Sequence, residues 1–159
     1  MKKVKQDMIK LKKTLMVALL AMSLTVADAA DALPVDKDPS YCTPYQLGDT
    51  GPGEGKIFFI DDSRCHGLEA KATDEINSLS WNDAFIAANS YGSGWHLPTK
   101  NELKMLYEHR SRVGGFVKDD YWSSTELDIN SAWIQGFGND DQDRYNKYSK
   151  LRVRAVRAF

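Results

Sequence analysis

The sequence predicts an α+β protein with a mainly antiparallel sheet. Two stretches with helical periodicity lie in the middle of the 159-residue chain, and segments with strand character lie on both sides of them. Hydrophobic residues make up 42% of the chain and aromatic residues 11%, which is ordinary for a folded globular domain. The length suits one domain of average size. A wholly disordered or collagen-like chain is therefore excluded.

The first predicted elements are a turn-rich segment and a β-hairpin. Residues 48–55 contain four glycines, a composition typical of turns. Residues 56–60 are typical of a buried strand, and residues 67–70 follow as its hairpin partner. A phosphate-binding Walker loop is excluded, because Thr50 stands where it needs glycine and Ile57 where it needs Ser or Thr.

Two amphipathic helices are predicted next. The first begins after Ser80, and its apolar residues recur with helical spacing at Trp81, Ala84, Phe85 and Ala88. The second begins after Thr99, where Glu102 completes a Thr-x-x-Glu capping box. Its apolar face consists of Leu103, Leu106 and Tyr107.

Strand character returns from residue 121 onward. Strands are predicted over residues 121–126 and 131–137. Residues 151–157 alternate apolar with basic side chains over seven positions. This alternation predicts a half-buried strand with an arginine-bearing outer face.

The first 29 residues have the features of a bacterial secretory signal peptide. Six lysines precede an apolar run over residues 15–26, and two Ala-Asp-Ala triplets follow it. The run is shorter than the ~20 residues that span a bilayer, so cleavage after Ala29 or Ala32 is expected rather than a retained anchor. An extended lead-in is predicted over residues 30–44.

Cleavage changes the charge balance of the chain. The whole chain has 21 basic and 22 acidic residues, and residues 1–29 carry six and two of these. The mature part keeps 15 basic against 20 acidic residues, a net charge of -5. Nucleic-acid binding is therefore not expected. No stable membrane insertion is expected either once the signal peptide is cleaved.

Export also bears on the two cysteines, Cys42 and Cys65. In an oxidising periplasm or outside the cell, two thiols in one small domain are expected to pair. Such a bond closes a loop of about 24 residues and stabilises the domain by roughly 3 kcal/mol in the chain-entropy model. The alternative is a reactive thiol at Cys65, beside His66.

Several motifs, in order along the chain, resemble one known family. They are residues 48–53, 57–59 and 66–70, the segment 95–103 with the sequence WHLPTKNEL, and the closing segments 121–126, 132–133 and 153–157. Over residues 45–159 the chain is similar to the DUF1566 family, also called the Lcl C-terminal domain. The family has glycine at position 54 and an aliphatic residue at position 56, where this chain has Glu54 and Lys56.

The resemblance implies a C-type-lectin-like fold, related to that of the formylglycine-generating enzymes. Those enzymes use a cysteine pair late in the chain, whereas Cys42 and Cys65 lie early, so their activity is not carried over. The resemblance further implies an exported, adhesion-type binding domain rather than an enzyme, with a surface glycan or an acidic polysaccharide as its ligand. The alternative is a structural or protein-interaction module of the cell envelope.

The candidate ligand-binding residues are basic and aromatic. Basic residues are dense after position 143, and a pair of arginines suits the sulfate or carboxylate groups of an acidic polysaccharide. Of the four tryptophans, the one that follows a Gly-Ser-Gly run is the most open to stacking on a sugar ring. The candidates are Trp95, Arg144, Lys147, Arg152 and Arg154. The alternatives are ion pairs with the excess acids and, for the tryptophan, a place in the core.

An acidic turn is the candidate metal site. Asp140, Asp141 and Asp143 lie in residues 138–143, and clustered carboxylates on a loop are ligands that Ca²⁺ prefers. The spacing is not that of an EF-hand, and the alternative is a solvated hairpin tip. Calcium is the one cofactor that the sequence suggests.

Overall fold

A computed structural model describes residues 42–159 as three helices and seven strands. The helices are α1 (Trp81–Asn89), α2 (Lys100–Glu108) and α3 (Arg110–Val113). The strands are β1 (Lys56–Ile60), β2 (Gly67–Ala70), β3 (Trp95–His96), β4 (Asp120–Glu126), β5 (Ser131–Gly136), β6 (Gln142–Asn146) and β7 (Val156–Ala158). The predicted signal peptide, both cleavage positions and residues 30–41 of the lead-in lie outside the described residues. Within the described range, no helix is both long and apolar enough to cross a bilayer.

The seven strands form two sheets in which every pairing is antiparallel. One sheet has the order β1-β2-β7-β3, so the last strand of the chain lies between the second and the third. The other sheet has the order β4-β5-β6 and is a simple meander. The predicted α+β class, with a mainly antiparallel arrangement of strands, is confirmed.

The predicted β1–β2 hairpin is also confirmed, with Lys56 opposite Ala70 and Ile60 opposite Gly67. In the turn between the strands lies Cys65, which forms a disulfide bond with Cys42. Neither of these cysteines is a free thiol. The predicted pairing is therefore confirmed, and the alternative of a reactive thiol at Cys65 is wrong.

Both long helices begin where the sequence predicts. The hydroxyl of Ser80 accepts the backbone N–H of Asp83 at 3.4 Å and caps α1. At the start of α2, the Thr99 hydroxyl accepts the Glu102 N–H at 3.2 Å, and the Glu102 carboxylate accepts the Thr99 N–H at 2.7 Å. These reciprocal bonds are the predicted capping box, which satisfies donors that the first helical turn leaves unpaired.

The apolar faces of these helices pack on the sheets in two buried clusters. One contains Trp81, Ala84, Trp95, Leu97, Trp122, Ile134 and Val153. The other contains Phe58, Leu103, Leu106, Tyr107, Tyr121, Phe137 and Val156. The core thus combines helix stripes with inward-facing strand residues, as an α+β layer arrangement requires.

The last third of the chain differs from the prediction. Strand β6 is polar and exposed, so it shows no apolar alternation from which it could be predicted. The regular strand predicted over residues 151–157 is confined to β7, because residues 151–155 pair with the irregular segment 71–79. In that pairing Lys71 donates to the Ala155 carbonyl and Glu75 donates to the Val153 carbonyl.

The glycine-rich segment encloses a buried carboxylate. Glu69 of β2 is 0% exposed, and its two oxygens accept the backbone N–H groups of Gly53 and Gly55, each at 2.8 Å. A Cβ atom on Gly51 or Gly53 would lie 2.5 Å from a Glu69 carboxylate oxygen. These glycines are therefore required by the close approach of the loop backbone to an internal anion.

Candidate functional site

The predicted basic patch does not form, because its central arginine points inward. Arg154 is 1% exposed, and its guanidinium pairs with Asp74 at 2.6 Å. The same group donates to the carbonyls of Lys71, Gly114 and Gly115. Arg154 is thus a structural residue that joins two loops, and the predicted outer face of arginines is wrong at this position. A charge buried in this way is tolerated because it is paired and fully hydrogen-bonded.

The other basic candidates are exposed to different degrees. The Lys147 ammonium donates to Glu126 at 2.5 Å and to the carbonyl of Asp128 at 2.9 Å, and Arg152 pairs with Asp119 at 3.2 Å. Arg144, on β6, is exposed and has no ion pair within residues 42–159. Two of these three charges are therefore already paired with carboxylates, and Arg144 alone is left for an anion.

The exposure of the tryptophans differs from the prediction. Trp95 is 5% exposed and lies in the core, so its ring offers no open face for stacking on a sugar. Trp133 is the least buried of the four, and the Lys100 ammonium lies 3.0 Å from the centre of its ring. Trp81 and Trp122 are buried, and their indole N–H groups donate to backbone carbonyls.

The acidic turn does not converge on one point. Asp140 accepts a hydrogen bond from Lys104 at 2.6 Å, and Asp141 accepts one from the side chain of Asn139 at 2.7 Å. Asp143 accepts the backbone N–H of Arg144. Within the described part of the chain, no three His, Cys, Asp or Glu side chains are grouped so that they could hold a metal ion.

A serine, a histidine and an aspartate meet in the β1–β2 turn without forming a proton relay. In a catalytic triad the acid and the serine occupy opposite nitrogens of the imidazole. Here Ser63 bonds directly to Asp61 at 2.5 Å, and both Ser63 and Asp61 lie 3.4 Å from the same nitrogen, Nδ1 of His66. The cluster therefore caps an exposed turn.

The central motif is a structural device that joins β3 to α2. His96 Nδ1 lies 2.9 Å from the Gly94 carbonyl, which only accepts, so Nδ1 carries a proton. Its Nε2 lies 3.3 Å from the Glu102 carboxylate, and this hydrogen bond raises the pKa of His96. Burial alone would raise the pKa of Glu102, but its bonds to His96 and Thr99 outweigh burial and lower it. The Trp-His-Leu-Pro-Thr segment is thereby fixed to the first turn of the helix.

An open groove lies where the start of α1 meets the β4–β5 turn and the end of β6. Its volume is about 240 Å³, and it is lined by Ser80, Trp81, Asn82, Glu126, Ile129, Lys147 and Tyr148. We call it the Tyr148 groove. The Tyr148 side chain is 83% exposed and that of Ile129 is 86% exposed, so two large apolar side chains stand in water at its rim.

Lys147 organises this groove rather than offering its charge to a ligand. Its ammonium donates to Glu126 and to the carbonyls of Asp128 and Ile129, and it lies 4.4 Å from the centre of the Trp81 ring. These contacts use all three ammonium protons. They hold the β4–β5 turn against the helix start and so fix the position of Ile129.

Three polar groups remain available in the Tyr148 groove. The Asn82 amide, the Tyr148 hydroxyl and Oε1 of Glu126 have no hydrogen-bond partner among residues 42–159. Sequence reasoning singled out Lys147 and the helix start at Ser80 and Trp81 but missed the groove, because its members come from three separate segments that meet only in the folded chain. The exposed Tyr148 in a polar turn was the one local signal.

Comparison with known proteins identifies the family. The sequence model of the Lcl C-terminal domain family matches residues 61–157, more than half of the chain. Among solved structures, the chain is similar to botrocetin with a TM-score of 0.42 and 12% identity, over 57% of this chain and 88% of that one. No curated protein matches the sequence. By the match to the family model, the chain belongs to the Lcl C-terminal domain family.

Proposed function

We propose that the domain is an exported, non-enzymatic binding module that recognises uncharged surface glycans in the Tyr148 groove. Membership of the Lcl C-terminal domain family fits a binding domain. The disulfide between Cys42 and Cys65 supports an oxidising compartment, periplasmic or extracellular. The observation that carries the proposal is the groove itself, where exposed apolar side chains flank unpaired polar groups.

The chemistry of the groove suits a sugar ring. The apolar face of a pyranose packs on an aromatic ring, and its hydroxyl groups need donors and acceptors at the edge of that contact. Tyr148 supplies the ring, while Asn82 and Glu126 supply an amide and a carboxylate oxygen. An exposed tyrosine also costs little conformational entropy when it is fixed by a ligand, since it has only two rotatable side-chain bonds.

Charge favours a neutral glycan over an acidic polysaccharide. The one cation in the groove, Lys147, is paired with Glu126 at 2.5 Å. The unpaired Glu126 oxygen would repel a sulfate or carboxylate group. The predicted anion-binding set is largely occupied, since Arg154 is internal and Arg152 is paired with Asp119. We therefore place neutral hexose or N-acetylhexosamine chains ahead of sulfated ones.

A glycan array followed by titration of the best ligand tests the proposal. Tyr148→Ala should weaken binding about tenfold, as expected for loss of a stacked aromatic contact worth ~1.5 kcal/mol. Ile129→Ala should weaken it less. Ile76→Ala is the matched control, because Ile76 is 92% exposed and lies outside the groove. Binding should persist in EDTA, because the Asp140–Asp143 turn is not required.

Two outcomes would overturn the proposal. Absence of binding to every neutral glycan would favour the envelope protein-interaction module instead. Equal loss of binding in Ile76→Ala and Ile129→Ala would place the contact outside the groove.

A further inference from the structure

A second concavity lies on another part of the described domain, beside the loop that follows α3. Its volume is about 310 Å³, and its lining includes Arg110, Gly114, Gly115, Phe116, Lys118 and Phe137. We call it the Phe116 pocket. It shares no lining residue with the Tyr148 groove. Its volume is at the lower end of the ~300–1,000 Å³ typical of small-molecule sites.

The aromatic part of the lining is held in place by contacts with the interior. The Phe116 ring lies 4.6 Å from that of Phe137 and 5.7 Å from that of Tyr121, measured between ring centres. The buried Arg154 guanidinium lies 4.0 Å from the centre of the Phe116 ring. Because Arg154 is itself fixed by Asp74, the ring that a ligand would meet is preorganised.

The polar part of the lining is cationic. Arg110 stacks on the Tyr107 ring at 3.9 Å and donates Nη1 to the Tyr107 carbonyl at 2.8 Å. Its Nε and Nη2 groups have no acceptor among the described residues, and Lys118 has no ion pair there. No aspartate or glutamate lines the pocket. In this respect it is the opposite of the Tyr148 groove, where Glu126 neutralises the one cation.

We propose that the Phe116 pocket binds a small organic anion with a flat apolar face, of the aryl carboxylate class. The ring of such a ligand would pack on Phe116, which is half-buried and is itself supported by the buried Phe137. Its carboxylate would receive the free N–H groups of Arg110 in the forked geometry that guanidinium groups favour, with Lys118 as a second charge. The volume holds a ligand of one or two rings. This site does not depend on glycan binding, and the two proposals can be tested separately.

Titration of the oxidised, ¹⁵N-labelled full chain with phenylacetate and indole-3-acetate tests this proposal by NMR. Amide shifts should concentrate at Gly115, Phe116 and Lys118. Phenylacetamide, which has the same shape without the charge, should bind about tenfold more weakly, and acetate should not saturate at about 10 mM. Equal binding of phenylacetate and phenylacetamide would overturn the proposal, as would shifts confined to other parts of the domain.

Variants separate the pocket from general surface charge. Lys118→Gln should weaken phenylacetate binding about fivefold, since it removes one exposed but unpaired charge from the lining. Lys150→Gln removes an exposed lysine outside the pocket and should leave the affinity unchanged. Tyr148→Ala should also leave it unchanged, whatever that variant does to glycans. Equal weakening by Lys118→Gln and Lys150→Gln would contradict a defined site.

Discussion

Two regions of this domain bury a charge, and they satisfy it in opposite ways. Arg154 is neutralised by a side chain, Asp74, and completed by carbonyls of two loops. Glu69 is held chiefly by backbone N–H groups of a glycine-rich loop, and the Arg157 guanidinium stays 3.8 Å away. The cation therefore depends on a partner 80 positions away in sequence, whereas the anion depends on glycines that let a backbone approach.

The two buried charges should therefore respond differently to mutation. A buried ion pair fails severely when one partner is removed, since the other charge remains in the interior. The carboxylate of Glu69 is bonded mainly to backbone N–H groups, and its charged partner Arg157 lies 3.8 Å away and is partly exposed, so its loss costs chiefly hydrogen bonds. Removing the Arg154 charge should thus be the more damaging change.

The largest expected effect belongs to Arg154→Met. It leaves the Asp74 carboxylate without its cation, bonded only to the Tyr121 hydroxyl, and removes the donors to three loop carbonyls. We expect the free energy of unfolding to fall by about 3–5 kcal/mol. Urea denaturation followed by tryptophan fluorescence measures the change. Arg152→Gln is the control, because the Arg152–Asp119 pair is largely exposed and worth about 1 kcal/mol or less. Equal losses in the two variants would contradict the internal role of Arg154.

Glu69→Gln should have the next largest effect. The amide keeps one acceptor but turns an N–H₂ group toward the N–H of Gly53 or Gly55. We expect a loss of about 1–3 kcal/mol, as for a buried donor left without an acceptor. The same denaturation measurement applies. A loss larger than that of Arg154→Met would reverse the comparison between the two buried charges.

The pair of His96 and Glu102 lies between these interior charges and the surface, and its contribution should depend on pH. The pKa of His96 is raised from 6.5, so its contribution is complete below pH 6.5 and is lost as pH rises through the folded value. The pKa of Glu102 is lowered from 4.5, so its contribution is complete above pH 4.5 and is lost as pH falls. The pair should therefore stabilise the domain most between these two values.

A pH series of unfolding measurements on the wild type and on His96→Gln tests this expectation. The difference between the two should reach a maximum of about 1 kcal/mol near pH 5.5 and decline toward pH 8, since the pair is partly exposed. His66→Gln serves as the control, because the His66–Asp61 pair lies in an exposed turn. If the difference in unfolding free energy instead grew steadily toward pH 8, it would contradict the expected raised pKa of His96.

Much of the fold could be predicted because the signals are local. The capping hydrogen bonds of Ser80 and Thr99 join residues three positions apart, and the β1–β2 hairpin pairs strands that are separated by one turn. The direction of Arg154 could not be predicted, because alternation along residues 151–157 assumes a regular strand, whereas this segment pairs with an irregular one. The Tyr148 groove could not be predicted either, since Ser80, Glu126 and Tyr148 meet only in the folded chain.

The smallest expected effect lies at Glu54, in the loop that surrounds Glu69. Glu54 is exposed and has a φ of 64°, in the left-handed region that costs an L-residue roughly 1–2 kcal/mol. Glu54→Gly should stabilise the domain by about 0.5–1 kcal/mol, because relief of this strain exceeds the added freedom of glycine in the unfolded chain. Glu54→Ala removes the same charge but keeps the Cβ atom, so it should give no such gain. Equal stabilisation by both variants would mean that charge, rather than backbone conformation, decides the preference at this position.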